Sequence, residues 1–450
     1  MRILILQVAP QTRGRPIPRF DPRLGTLLTL LAERGHELHL IGLSRFDEGR
    51  VKAALTRCLP QLVFADISPV CVGAARRALE FLGTREFLPI VAGGAFPTVA
   101  PAEALSLPGV AAVAIGEPDA TLVTYLERLK DPVAPTAVRG VWLRDEQGLT
   151  RPQLPGLVED LDSLPFAERD LFGYAEWLAR CGELEIAVGR GCPQHCGYCS
   201  NDAERMMYEG RGVWVRRRSP GNVLDEITVV RRRHATVRSV RILDHAFALD
   251  DSWLVGFCEA YARRCGLPLR CHLRANAVTS TRLTLLRSAN LADADVEIIS
   301  GSDFIRNEIF AMDLSNAQIV AAFGELHRAG VRTRAVLYLG SPYESEASME
   351  DTLHLLRALR PARVDVRPYF PFPGTRAAAE PCGSNGWLSP RGEEEYHADR
   401  PGIEMPACRP PLVTACIRRI RAEFATTVSS PWWRRLRQAP QHLLKLMRGR

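Results

Sequence analysis

The chain has 450 residues, 46% hydrophobic and 24% charged, with a net charge of +7; that is room for two or three domains, each with its own core. No apolar run reaches the roughly 20 residues a membrane helix needs, and twelve cysteines in so long a chain do not read as a disulfide framework. Lysine occurs only at Lys52, Lys130 and Lys445, so the positive charge is nearly all arginine; without a basic–aromatic stripe or a zinc finger it does not indicate nucleic acid.

The N-terminal run Arg2–Val8 reads as a buried strand rather than a signal peptide, so a cytoplasmic protein is expected. Four more strands are predicted at 37–43, 62–67, 88–92 and 110–115, with helices between them at 22–34 and 70–82. This alternation predicts a parallel α/β sheet of the flavodoxin/Rossmann kind, which binds ligands at the carboxyl ends of its strands. Gly93-Gly94 and Gly116-Glu117 fall at two such ends, where glycine lets backbone approach a ligand. A Pro-rich stretch follows, with a hairpin signal around Asp145–Gly148. From residue 183 six more strands are predicted, at 183–188, 237–243, 267–273, 294–299, 332–339 and 363–370, joined by helices. Ser315-Asn-Ala-Gln318 is a capping box; Ile319, Ala322, Phe323 and Leu326 share one face, and Gly330 stops that helix. Six such units predict a partial (β/α)6 barrel, with chemistry at the C-terminal strand ends. The expected division is 1–130, a linker with hairpin at 131–180, the barrel at 181–375 and a mainly helical region at 376–450. The basic, Leu-rich end beyond Pro431 suits a docked terminal helix, with contact to a membrane surface as the alternative.

The loop after the first barrel strand reads Gly189-Arg-Gly-Cys192-Pro-Gln-His195-Cys196-Gly-Tyr198-Cys199. Three thiolates at this spacing wrap one corner of an iron–sulfur cubane and leave its fourth iron open. Zinc needs a fourth ligand, and His195, between two of the cysteines, is poorly placed to supply it. Cys382, Cys408 and Cys416 have no such spacing.

Cys192, Cys196 and Cys199, with Tyr198 as the aromatic, resemble the Cys-x3-Cys-x-aromatic-Cys signature of the radical S-adenosylmethionine (SAM) superfamily. The resemblance covers residues 1–375. It implies a [4Fe–4S] cluster whose open iron chelates SAM, whose reductive cleavage gives a 5′-deoxyadenosyl radical. It further implies Tyr198 near the adenine, and Ser300, Gly301 and Asn276 as SAM contacts. Asp244, with His245 where a second acid is usual, and Arg274 are the implied catalytic groups. Arg218-Ser219-Pro220 with Glu226, Gly340–Glu344 with Thr352, and Phe370–Thr375 are similar to further family elements. The fourth strand departs from the family pattern: Ile299 replaces an acid, and Glu297 lies two residues earlier, on the same face if the strand is regular.

The first domain resembles the cobalamin-binding module of one radical SAM subfamily through Asp66-Ile-Ser68, Gly93-Gly94-Ala-Phe-Pro-Thr98 and Gly116-Glu117. Ser68, Gly93, Gly94, Thr98, Gly116 and Glu117 are the implied cobalamin contacts. The loop Ala9–Gly14 lacks the histidine that ligates cobalt in many such modules. The resemblance implies a class B-like radical SAM methyltransferase acting on an unactivated carbon or phosphorus of a small molecule, with a flavodoxin or ferredoxin as electron donor. A radical cyclisation or rearrangement and a polar, cobalamin-dependent methylation stay open as alternatives.

Overall fold

The computed structural model describes residues 1–11, 17–84, 88–130, 137–145, 148–390 and 392–425. Positions 12–14 of the histidine-free loop, 131–136 of the linker, hairpin residues 146–147 and the basic terminal helix expected beyond Pro431 lie outside them. No helix among the described residues is long and apolar enough to cross a membrane.

The N-terminal sheet contains β1 (Arg2–Val8), β2 (Glu37–Leu43), β3 (Leu62–Ile67), β4 (Ile90–Gly93), β5 (Val110–Ala114), β6 (Val141–Asp145) and β7 (Gly148–Thr150), in the order β2-β1-β3-β4-β5-β6-β7. The first five strands are parallel. Their apolar runs are buried on both faces, as helix-covered parallel strands require: Leu4, Leu6 and Val8 enter one core and Ile3 and Ile5 the other. The expected linker hairpin is part of this sheet, because β6 pairs antiparallel with β5. The core containing Ile3 and Ile5 continues without a break into the second unit.

The second unit is a six-stranded, all-parallel sheet of β8 (Glu183–Ile186), then a short ribbon of β9 (Gly189–Arg190) and β10 (Arg216–Arg217), then β11 (Ser239–Ile242), β12 (Leu269–Leu273), β13 (Leu291–Ile299), β14 (Arg332–Leu339) and β15 (Arg363–Pro368). Its order, β15-β14-β13-β12-β11-β8, leaves β8 and β15 as edges; the barrel is partial. Arg19–Thr26 of the N-terminal unit contribute to the wall of the open interior. The helix Asn316–Arg328 forms as its capping box dictates, burying Ile319, Ala322, Phe323 and Leu326.

The barrel interior is charged rather than apolar. Odd positions of β12 (Leu269, Cys271, Leu273) pack in the core, while Arg270 and His272 face inward. The same alternation turns Asp293, Asp295 and Glu297 of β13 inward, with Arg334 of β14 and Asp365 of β15. Asp295, 1% exposed, is the hub. It accepts from Arg270 at 2.9 and 3.1 Å and from Arg334 at 2.8 and 2.6 Å, with Arg241 at 3.4 Å. Burial acts to raise its pKa, but Arg270, Arg334, His272 and Arg241 outweigh it and hold the carboxyl well below its ordinary 3.8.

The C-terminal region ties the units together. The helix Gly392–His397 places Glu393 on the N–H groups of Gly73 and Ala74, at the positive end of the helix Val72–Gly83. The helix Pro410–Glu423 packs on β15, and its Arg421 donates to the Val366 carbonyl at 2.9 Å.

Asp295→Ala leaves several arginines facing one another in the interior and is expected to cost roughly 3–5 kcal/mol, read from urea unfolding. Because the native pKa is depressed, this contribution is complete above the unfolded carboxyl's 3.8 and is lost as pH falls below it. The wild-type–mutant gap should therefore narrow on acidification.

Candidate active site

The cysteine loop leaves β8 through the ribbon. Gly189 and Gly191 are required there: a Cβ on Gly189 would meet Arg216 O at 2.5 Å, and one on Gly191 (φ +82°) would meet Trp214 O at 2.1 Å. The loop is then fixed on several sides. Trp214 Nε1 donates to Cys192 O at 3.1 Å. Gly197 N donates to Phe310 O, and Ala377 N to Gly197 O, both at 2.9 Å. Arg376 donates to His195 O. Asp244, at the end of β11, accepts from Val188 N at 2.8 Å, so it ties the entry of the loop to the neighbouring strand.

Cys196 is buried and Cys192 and Cys199 half-buried, and none is in a disulfide. Burial pushes all three thiols up, Cys199 to about 12. Arg274, 5% exposed, donates to Cys196 Sγ at 3.5 Å and to Met312 O at 2.7 Å, while its Nε is buried without a partner. Tyr198 packs edge-on against Phe310 and Tyr338, with centroids 5.1 and 5.8 Å apart. A cavity of about 970 Å³ runs through the barrel, lined by Cys192, Asp244, His245, Glu297 and Tyr338 near the loop. Asn276 is exposed and is not part of its wall.

The end of β13 differs from a regular strand. Glu297 pairs with Val336 but Ile299 pairs with Leu337, so Ile298 is bulged out of the ladder. Ile299 has φ +60° and Ser300 N donates to Ile298 O at 2.7 Å, a strained γ-turn. Val336 lines the cavity, and Leu337 faces the opposite side. The bulge therefore turns Ile299 away from the cavity and corrects the expectation that Glu297 and Ile299 share a face. Glu297 is left as this strand's last acid on the cavity wall. Ser300 is fully buried, its hydroxyl accepting from Ser302 N at 3.2 Å. Gly301 N donates to Thr352 Oγ1 at 2.8 Å, and a Cβ there would lie 2.4 Å from Thr352 Cα. Gly301 thus seats the helix Glu346–Leu359 on the end of β13.

His245 Nδ1 lies 2.6 Å from Glu297 Oε1, and its ring stacks on that of His272 at 4.2 Å. Glu297 raises the pKa of His245 against burial. Burial lowers His272, helped by His245, to about 3. Glu297 resists burial through His245 and His272 and sits at about 2. Sequence reasoning missed His272 and the charge layer beneath it. The signal was present as period-two charge in strands that otherwise read as buried: Arg270-x-His272-x-Arg274 and Asp293-x-Asp295-x-Glu297.

At the carboxyl edge of the N-terminal sheet, most nominated residues are engaged within the protein. A Cβ on Gly93 would meet the Phe64 ring at 2.6 Å, and one on Gly116 would meet Tyr208 Oη at 1.8 Å. Thr98 Oγ1 donates to Gly94 O and accepts from Gly116 N. Glu117 is held by Arg216 at 2.6 and 3.1 Å and by Arg190 at 3.3 Å. Gly94 (φ +93°) lies against Asp66: a Cβ there would meet Oδ1 at 2.2 Å. Among the described residues no hydrogen bond engages the Asp66 carboxylate or the Ser68 hydroxyl. These two groups border β1, beside the point where the strand order reverses.

Residues 186–356 match the model of the Radical SAM superfamily. The chain carries a radical SAM domain. The wider chain is similar in fold to the methyltransferase TsrM from Kitasatospora setae, solved with cobalamin and a [4Fe-4S] cluster bound: TM-score 0.67, 16% identity, 87% of this chain and 80% of that one. It is also similar to OxsB, a cobalamin-dependent SAM radical enzyme solved with aqua-cobalamin and SAM: TM-score 0.63, 17% identity, 79% of this chain and 52% of that one. Among curated relatives, cytidylyl-2-hydroxyethylphosphonate methyltransferase of Streptomyces wedmorensis is 26% identical over 172 residues, 31% of each chain. Anaerobic magnesium-protoporphyrin IX monomethyl ester cyclase of Cereibacter sphaeroides is 23% identical over 280 residues, 60% of this chain and 44% of its own. The matches thus span less than half the length of these curated relatives.

Burial, with a smaller push from Asp21, raises Asp66 to about 7. Carbon-detected NMR should therefore show one aspartate carboxyl titrating near neutrality, absent in Asp66→Asn. A raised acid loses stability as pH climbs from its unfolded 3.8 through about 7, so Asp66→Asn should gain on wild type between pH 5 and 8, to be read from unfolding midpoints.

Proposed function

We propose that this chain is a cytoplasmic, cobalamin-dependent radical SAM enzyme that methylates an unactivated carbon or a phosphorus of a small molecule, with 1–130 as the cobalamin module, 131–180 as the linker, 181–375 as the barrel and 376–450 shaping the substrate site. The observation that carries this reading is the cysteine loop, fixed at the end of β8 above an open polar cavity. The two solved neighbours with bound cobalamin and the phosphonate methyltransferase relative support it.

The residues present fit the cluster. Cys192, Cys196 and Cys199 supply three soft donors on one rigid loop, as cluster iron prefers. Arg274 points a guanidinium at Cys196 and keeps one N–H without a partner, a donor suited to a cluster sulfide or SAM. Three protein ligands leave one iron position for a small molecule. Tyr198 backs the loop, Ser300 and Gly301 hold the strand end, and Asn276, exposed and outside the cavity wall, is a SAM contact by family resemblance alone. For cobalamin the fit is one-sided. Among the described residues Asp66 and Ser68 offer polar groups without a hydrogen-bond partner, beside Gly94, whereas Gly93 packs on Phe64, Thr98 bonds within the sheet edge, and Gly116 and Glu117 meet Tyr208, Arg190 and Arg216 of the barrel unit. When bound, the cluster supplies the electron that cleaves SAM, and cobalamin relays a methyl group. The chain's own part is positional: Asp244 holds the loop entry, Arg274 braces Cys196, and the cavity walls orient the substrate. The electron comes from a partner of the flavodoxin or ferredoxin kind.

Cyclisation or rearrangement on the same scaffold is the second reading, favoured by the cyclase relative. Product analysis separates the two after anaerobic reconstitution with iron, sulfide and cobalamin. Methylation yields both 5′-deoxyadenosine and S-adenosylhomocysteine; rearrangement yields 5′-deoxyadenosine alone; polar methylation yields S-adenosylhomocysteine alone. Cys192→Ala should lose the cluster's visible absorption and its iron. A variant with full cluster iron contradicts the ligand assignment.

A further inference from the structure

His245, three residues beyond the end of β11, stands beside His272 of β12 and Glu297 of β13 on the cavity wall, and no role assigned above requires all three. One ligand atom from each lies within 4.8 Å of the others. We propose that these three side chains form a binding site for a divalent first-row transition-metal ion such as Zn²⁺, distinct from the iron–sulfur cluster and open to the cavity.

The bland alternative is an ion pair between His245 and Glu297. It accounts for the 2.6 Å contact between them but not for His272. That ring is 92% buried, being 8% exposed, and its Nδ1 has no partner. Its other nitrogen, Nε2, lies 3.4 Å from Arg241 and 3.7 Å from Asp295 Oδ2. Metal binding at Nδ1 places the ring proton on Nε2, where Asp295 is the nearest acceptor, in exchange for the 3.4 Å contact from Arg241; the His272 ring stacks on that of His245 with centroids 4.2 Å apart. A carboxylate behind a histidine is the usual support for a metal-ligating imidazole, because it fixes the tautomer. Ligation by both rings takes a turn of the exposed His245 side chain out of the stack.

The charge balance agrees. Arg241, Arg270 and Arg334 are engaged by Asp295 below the site. Among the described residues Glu297 has no arginine within ion-pair distance; its salt bridge is with His245. The set therefore offers one carboxylate and two imidazoles, a donor set that suits zinc, iron or cobalt rather than magnesium or calcium. Three ligands leave at least one position free, as in metal sites that bind substrate. That position faces the cavity, where a carboxylate, phosphonate or carbonyl oxygen of a small molecule can complete the shell. Binding replaces the proton shared by His245 and Glu297 with the metal. The site stands on these residues alone and does not depend on methyl transfer.

Zn²⁺ alone is the probe, added under anaerobic conditions to the full chain with its cluster reconstituted. Equilibrium dialysis with metal analysis should find one Zn²⁺ per chain beyond the cluster iron. Zinc-edge X-ray absorption should show nitrogen and oxygen donors with imidazole scattering. His272→Ala and Glu297→Gln should each weaken binding by about 100-fold or more, beyond the 10–100-fold typical of losing an outer-shell partner. His245→Gln, altering a side chain exposed to the cavity, tests the same point should either fail to fold. No Zn²⁺ retained, equal retention in the variants, or sulfur ligands at the zinc edge would each overturn the proposal. None of these outcomes bears on the cysteine loop's cluster, which is read separately from iron content.

Discussion

A parallel sheet that curls without closing has to settle what its interior contains, and here the answer is Asp295. The five other barrel strands each send a cationic or acidic group toward it or its immediate partners. Removing two unit charges from water is expensive unless geometry and hydrogen bonds compensate. The bidentate contacts from Arg270 and Arg334 are the geometry that does so. An apolar filling would have closed the space. The charge layer keeps it open and polar, and everything at the C-terminal strand ends stands on this floor.

Above the floor, the cysteine loop is rigid because each of its neighbours holds a different atom of it. Trp214 takes the Cys192 carbonyl, Phe310 and Ala377 clamp Gly197, and Asp244 fixes the strand just before it. Preorganisation of this kind matters for a site that must bind a metal cluster in one orientation. Arg274 is the least satisfied of these groups, with one buried N–H unpaired. The floor also shapes chemistry: by engaging three arginines, Asp295 leaves Glu297 anionic beside His245 and His272.

Much of this was legible in the residues. Strand limits at Arg2–Val8, Glu37–Leu43, Leu62–Ile67 and Arg332–Leu339 coincide with the structure, because short apolar, β-branched runs bounded by polar or turn residues leave little freedom. The capping box at Ser315 specified its helix to the residue. The loop triad was visible because its chemistry is local in sequence. What was not legible is non-local. The hairpin's attachment to β5 depends on pairing across distant segments. The bulge at Ile298 reverses a side chain by one ladder step, which no alternation pattern announces. Glycines at 93 and 116 look like ligand cradles in the sequence, yet Phe64 and Tyr208 occupy the space beside them. His272 was missed because its period-two company with Arg270 and Arg274 sits in a strand that otherwise reads as buried.

The account rests on a cluster with one iron that the protein leaves free. Electron paramagnetic resonance of the reconstituted, reduced chain with and without SAM measures that directly. The account predicts a spin-½ cluster signal whose g-values shift when SAM is added, with the shift lost alongside the cluster in Cys192→Ala. A full cluster signal that SAM leaves unchanged would mean the fourth iron is already closed, and would contradict it.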